Sequence, residues 1–126
     1  MPLKTPEEWI KQADYDLETA KALLKSGRYI YTIFMCHLSI EKALKGLYTK
    51  KLIEEPPKIH SLVYLATKIG LEPPDKFKEF IENLNRLSVP TRYPDELEKM
   101  LKEYDKIRTE EILLRTGELL GWLKER

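Results

Sequence analysis

Apolar residues recur along this chain at intervals of three and four, the spacing that lines one face of a helix, and each run is closed by glycine or proline. Trp9, Ala13, Leu17, Ala20 and Leu24 follow Thr5-Pro6-Glu7-Glu8, a pattern in which Thr5 meets the amide of residue 8 and Glu8 reaches back. Pro6 takes the first helical position, where its missing donor costs nothing. Gly27 ends the run, so a first helix is expected over residues 6–26. The next run, 29–53, carries Ile30, Ile33, Phe34, Ile40, Ala43, Leu44, Leu47 and Tyr48 on more than one face, as a central helix does. Glu54-Glu55-Pro56-Pro57 stops it.

Ser61 is placed to cap a short third helix ending before Gly70, with Leu62, Leu65, Ala66 and Ile69 inward. Pro73-Pro74-Asp75 opens a fourth, whose buried side is Phe77, Phe80, Ile81, Leu84 and Leu87. Residues 95–105 fit either a short helix or an ordered loop. Thr109 is read as the cap of a last helix bearing Ile112, Leu113, Leu119, Leu120 and Leu123. No strand pattern, repeat or flexible linker interrupts this order. The expected fold is all-α: an antiparallel up-and-down bundle of four or five helices, in a single domain spanning 1–126.

Composition narrows the function classes. No apolar run approaches the roughly 20 residues needed to span a bilayer, and Met-Pro-Leu-Lys-Thr-Pro has no apolar signal core. The single cysteine, Cys36, excludes an internal disulfide framework and fits a reducing, cytoplasmic setting. A net charge of +1 argues against a protein held to nucleic acid by bulk electrostatics. One Gln and two Asn among many Lys and Glu match the bias of thermophilic proteins.

Candidate chemistry is concentrated at three places. Pro90 and Pro94 keep Thr91-Arg92-Tyr93-Pro94-Asp95 from being helical, so a guanidinium, a phenol and a carboxylate sit on a short, stiff connector. It reads either as a turn whose Asp95 caps the next helix or as a binding segment. His37 and Glu41 lie four apart on the central helix and share a face with Ile33, Phe34 and Leu44. An inward carboxylate needs a partner, and Lys45 is the nearest along the helix. These groups form either an internal ionic tie or one wall of a polar pocket. His60 either bonds the turn before the third helix or belongs to a site. Repeated Glu-x-x-His patterns are missing, so no metal is expected. Cys36 lies in an apolar helix without an activating neighbour, and no Gly-rich phosphate loop occurs.

Taken in order, these segments resemble the HEPN family. Trp9…Ala13-Asp14-Tyr15-Asp16-Leu17…Ala20…Leu23 is similar to its first helix, and Gly27-Arg28-Tyr29 to its first turn. Glu41-Lys42-Ala43-Leu44-Lys45 matches its Glu-Lys-Ala-Leu-Lys run. His60-Ser61-Leu62 resembles the His-x-Leu that opens its third helix, and Thr91-Arg92-Tyr93-Pro94-Asp95 its Arg-Tyr-Pro-Asp connector. The resemblance implies a helical bundle, commonly dimeric, often encoded beside or fused to a small nucleotidyltransferase. Nucleotide binding has been proposed for the family, and one branch acts as metal-independent ribonuclease toxins through an Arg followed after four to six residues by a His. No arginine here precedes His37 or His60 at that spacing, which counts against RNA cleavage.

A nucleotide such as ATP or GTP would then meet Arg92 as a planar fork, Lys45 as a second cation and Tyr93 as a stacking ring, with Glu41 or Asp95 orienting Arg92 or accepting from a ribose hydroxyl. The same residues would equally make a satisfied interhelical network. Excess apolar faces on the central helix, with Leu119, Leu120 and Trp122 near the C-terminus, point to a homodimer. The expected function is a non-enzymatic module that binds a partner nucleotidyltransferase, a nucleotide, or both, as half of a toxin–antitoxin-like pair. A metal-independent RNase is the alternative, with RNA a less favoured partner. Arg92, Tyr93, Asp95, Lys45, Glu41, His60 and His37 are the candidate ligand-binding residues.

Overall fold

One long helix organises the molecule, and its two ends carry different chemistry. The computed structural model describes residues 3–88, 90 and 93–126. It contains α1 (Pro6–Lys25), α2 (Tyr29–Leu52), α3 (Leu62–Lys68), α4 (Asp75–Leu87), α5 (Leu97–Glu103) and α6 (Lys106–Lys124), with a 3₁₀ turn at Pro94–Glu96. Among the described residues there is no strand, and no helix is long and apolar enough to cross a membrane. The all-α expectation stands. Among the described residues the count is six, because the segment that could have been a loop closes into α5 beside the short third helix already expected.

Local chemistry fixes the helix ends. Thr5 Oγ1 accepts from the Glu8 amide at 3.1 Å, and the Thr5 amide donates to Glu8 Oε2 at 2.6 Å, the reciprocal pair expected of the capping box. Gly27, at φ +77, closes α1: its amide donates to the Leu24 carbonyl and that of Arg28 to the Leu23 carbonyl. Gly70 closes α3 in the same way. Ser61 Oγ accepts from the Tyr64 amide at 3.1 Å. Two caps fall elsewhere than expected. Asp105, whose Oδ1 accepts from the Arg108 amide at 2.9 Å, caps α6, while Thr109 is buried within the helix. Glu96 occupies the N-cap of α5 without a side-chain bond, so Asp95 does not cap it.

α1 runs antiparallel to α2, tied by Ser39 Oγ donating to the Ala13 carbonyl at 2.8 Å and by a 2.7 Å pair between Lys42 and Asp16. The crossing is close because Gly46 has no side chain. A Cβ there would meet Trp9 Cβ at 3.0 Å and the Pro6 carbonyl oxygen at 3.3 Å. α6 lies along α2, with Thr116 bonded to Cys36, and α4 runs antiparallel to α6, with Phe77 against Trp122 at 5.7 Å. The four long helices therefore alternate in direction.

The main core buries Ile40, Leu44, Leu62, Leu65, Leu84, Leu119 and Leu123. A smaller cluster, Ile30, Ile33 and Met100 with Leu87, Tyr104 and Ile112 against it, sits at the opposite end of α2. The bundle covers most of the apolar face of α2. Leu119 and Leu120 are buried and Trp122 half-buried, so these residues close the core and do not present the partner surface expected of them.

Candidate functional site

The central feature is the Glu41 carboxylate, on the inward face of α2 and only 4 % exposed. Helical spacing brings Lys45 Nζ to within 3.1 Å of Oε2 and His37 Nδ1 to within 3.6 Å of Oε1. The segment after α2 supplies the third nitrogen. Glu54-Glu55-Pro56-Pro57 cannot extend the helix, and Ile53 turns the chain at φ 53, bringing His60 back. His60 Nδ1 lies 3.2 Å from Oε1 and 3.1 Å from Oε2 of Glu41. A carboxylate taken out of water needs such partners, since its desolvation costs several kcal/mol.

Three of the four groups are buried, and one faces solvent. His37 is 1 % exposed and Lys45 is buried, whereas the His60 side chain is 60 % exposed. The expected face shared by His37, Glu41 and Lys45 is present, and His60 bonds Glu41 instead of the turn before it. Tyr93 and Asp95 are exposed on the connector and make no hydrogen bond or ion pair with the Glu41 group. Arg92 lies outside the described residues.

A cavity of about 230 Å³ opens beside Lys45. Lys4, Trp9, Glu55, Pro56, Pro57 and Lys58 contribute to its wall, so three ammonium groups and one carboxylate share a small concavity with an indole ring. Lys4 Nζ stands 4.9 Å from the centre of the Trp9 ring. The Trp9 Nε1 is buried with no hydrogen-bond partner among the described residues, an arrangement that folded proteins mostly avoid. Lys4, Trp9 and Lys58 are not apparent as site residues in the sequence. Their only signals are a lysine just before the capping box and another just after the proline pair.

Elsewhere on α2, burial pushes the Cys36 thiol up to about 12, partly countered by its hydrogen bond with Thr116. Such a thiol is protonated and inert at neutral pH. Among the described residues, no group of three or more His, Cys, Asp or Glu side chains is placed to hold a metal ion.

The HEPN domain pattern matches residues 6–126. Over 134 aligned residues the chain is 31% identical to a protein of Methanocaldococcus jannaschii named "Putative toxin MJ1304", covering 98% of this chain and 88% of that one. The crystal structure of TT1696 from Thermus thermophilus superposes with a TM-score of 0.81 at 26% identity, covering 95% of this chain and 96% of the other. That of ST0689, an archaeal HEPN homologue, gives 0.76 at 26% identity, covering 98% of both chains. The chain belongs to the HEPN family.

Proposed function

We propose that this HEPN chain is the binding half of a toxin–antitoxin-like pair, engaging a partner nucleotidyltransferase and taking a nucleotide such as ATP or GTP at the Glu41 face. The observation that carries the reading is Lys45, shared between the buried Glu41 carboxylate and the cavity it lines with Lys4, Lys58 and Trp9. Glu41 fixes the Lys45 ammonium, and Lys4 and Lys58 add charge against the one lining carboxylate, Glu55; His60, exposed and bonded to Glu41, would add a donor outside the cavity lining. Phosphate oxygens are bound by such cationic donors. Arg92, Tyr93 and Asp95 would join from the connector.

Cleavage of RNA is the weaker reading. His37 is enclosed in the bundle, and His60 is held by a carboxylate with no arginine four to six residues before it. The assembly we favour is a homodimer, supported by apolar side chains left outside the bundle, Leu97 and Leu101 on α5 and Ile107 and Leu114 on α6.

The test is calorimetric titration of the full chain with ATP and GTP, followed by His60→Ala, Lys58→Ala and Arg92→Ala. Micromolar binding weakened at least tenfold by the first two places the nucleotide at the Glu41 face. Co-purification with a nucleotidyltransferase encoded beside the gene tests the partner. Recovery of the chain alone from co-expression would overturn that half of the proposal.

A further inference from the structure

A second concavity lies at the other end of α2, between the C-terminal half of α4 and the N-terminal half of α6. Its volume is about 320 Å³, near the lower end of the range of ligand pockets. Leu84, Leu87 and Ile112 form an apolar floor, and the rim carries Arg86 from α4 with Arg108 and Arg115 from α6. Arg108 and Arg115 are seven residues apart, two turns of helix, and so lie on one face separated by about 10 Å of axial rise.

Each guanidinium is held by local contacts. Arg86 Nη2 donates to Asn83 Oδ1. Arg108 lies 4.8 Å from the centre of the Tyr104 ring and donates from Nη1 to the Glu103 carbonyl at 3.2 Å. Arg115 Nη2 pairs with Glu111 at 2.9 Å. A guanidinium has five N–H donors, and these contacts leave most of them available. Glu111 is the one carboxylate among the lining residues, against three arginines. Arg86 and Arg108 are in no ion pair among the described residues. The whole chain is close to neutral, at +1, so this positive charge is a local concentration. A cleft lined by one sign of charge over an apolar floor focuses its field on a counter-ion.

We infer that the α4–α6 cleft is a second binding site, for a small molecule bearing two or more phosphoryl groups. Arginines on two walls, two of them two turns apart on α6, offer separate planar forks, which match consecutive phosphoryl groups better than one tetrahedral anion. The uncharged body of the ligand would rest on Leu84, Leu87 and Ile112. This site is independent of the Glu41 face, from which it differs in helices, residues and cation type.

The experiment titrates the full chain with orthophosphate, tripolyphosphate and ATP, and repeats each on Arg86→Ala/Arg108→Ala and on His60→Ala/Lys58→Ala. All four substituted residues are exposed, so folding is retained, and a circular-dichroism melt checks it. The expected result is tripolyphosphate bound at least tenfold more tightly than orthophosphate and weakened at least tenfold in the arginine pair alone. Arg108→Lys, which keeps the charge and loses the fork, should fall between. A loss confined to the His60/Lys58 pair would place the anion at the Glu41 face and overturn the cleft while sparing the proposed function. In a parallel titration with a single-stranded oligonucleotide, binding there with no response to tripolyphosphate would overturn the small-molecule assignment, and equal titrations for all variants would overturn the site.

Discussion

A buried ion pair is defined by what is left when one partner is removed, and Glu41 has the most to leave. Replacing it with Gln strands the Lys45 ammonium, itself buried, without a counter-charge. Breaking such a pair costs about 3 kcal/mol, so Glu41→Gln should lower the urea midpoint markedly. His60 bonds the same carboxylate from a mostly exposed position, where screening holds an ion pair below about 1 kcal/mol. His60→Ala should therefore unfold at nearly the wild-type urea concentration while losing nucleotide affinity, and a midpoint shift as large as that of Glu41→Gln would make His60 purely architectural. Cys36 adds a pH dependence with a defined sign. Its folded pKa, about 12, exceeds the ordinary 9.0, so the folded chain keeps a proton that the unfolded chain releases. Stability is unaffected below pH 9 and falls by up to about 1.4 kcal/mol per pH unit from there toward 12. Cys36→Ala should flatten that alkaline decline, as read from urea midpoints of the two proteins at pH 8 and pH 10.5.

At the scale of the element, two positions on α2 strain against their own helix. Ile53 ends it at φ 53 although its side chain is branched at Cβ and 73 % exposed. The left-handed conformation costs such a residue about 1 to 2 kcal/mol, which glycine avoids. Ile53→Gly should raise the melting temperature, since little packing is lost; a lower value would mean that Ile53 contacts something outside the monomer. Gly46 has the opposite sense. Helix propensity favours a side chain, but the closeness of Trp9 and Pro6 forbids one. Gly46→Val should cost about 2 kcal/mol by overpacking, visible as a lower urea midpoint. Helix starts governed by neighbours in sequence, such as Thr5 with Glu8 and Ser61 with Tyr64, are legible from the residues alone. The start of α6 is not, because a threonine three residues before an apolar pair looks like a cap, while Asp105 supplies the cap four positions earlier. The turn from Ile53 to His60 encodes no local signal for where the imidazole arrives, so its bond to Glu41 depends on tertiary packing.

Across the whole molecule, the same distinction separates what periodicity reveals from what it hides. His37, Glu41 and Lys45 share a helix face and can be read together, whereas Arg86 and Arg108 meet only because α4 and α6 run antiparallel across one floor. Composition and charge, being sums over the chain, cannot show either site. The apolar residues expected to mark a partner surface lie instead in the core: α2 and the end of α6 are largely enclosed, while four of the exposed apolar side chains, Leu97, Leu101, Ile107 and Leu114, sit on α5 and the first half of α6. Leu101 and Leu114 are 59 % and 66 % exposed there, and neither contributes to the core. In a homodimer a two-fold interface uses each such patch twice, so either leucine, if it lies in that interface, is buried in both copies. Leu101→Glu/Leu114→Glu should thus convert a dimer to a monomer in light scattering at micromolar concentration and leave the helical circular-dichroism spectrum unchanged. A dimer that survives both charges would need another face, and a wild-type chain that scatters as a monomer would leave these leucines for the partner protein.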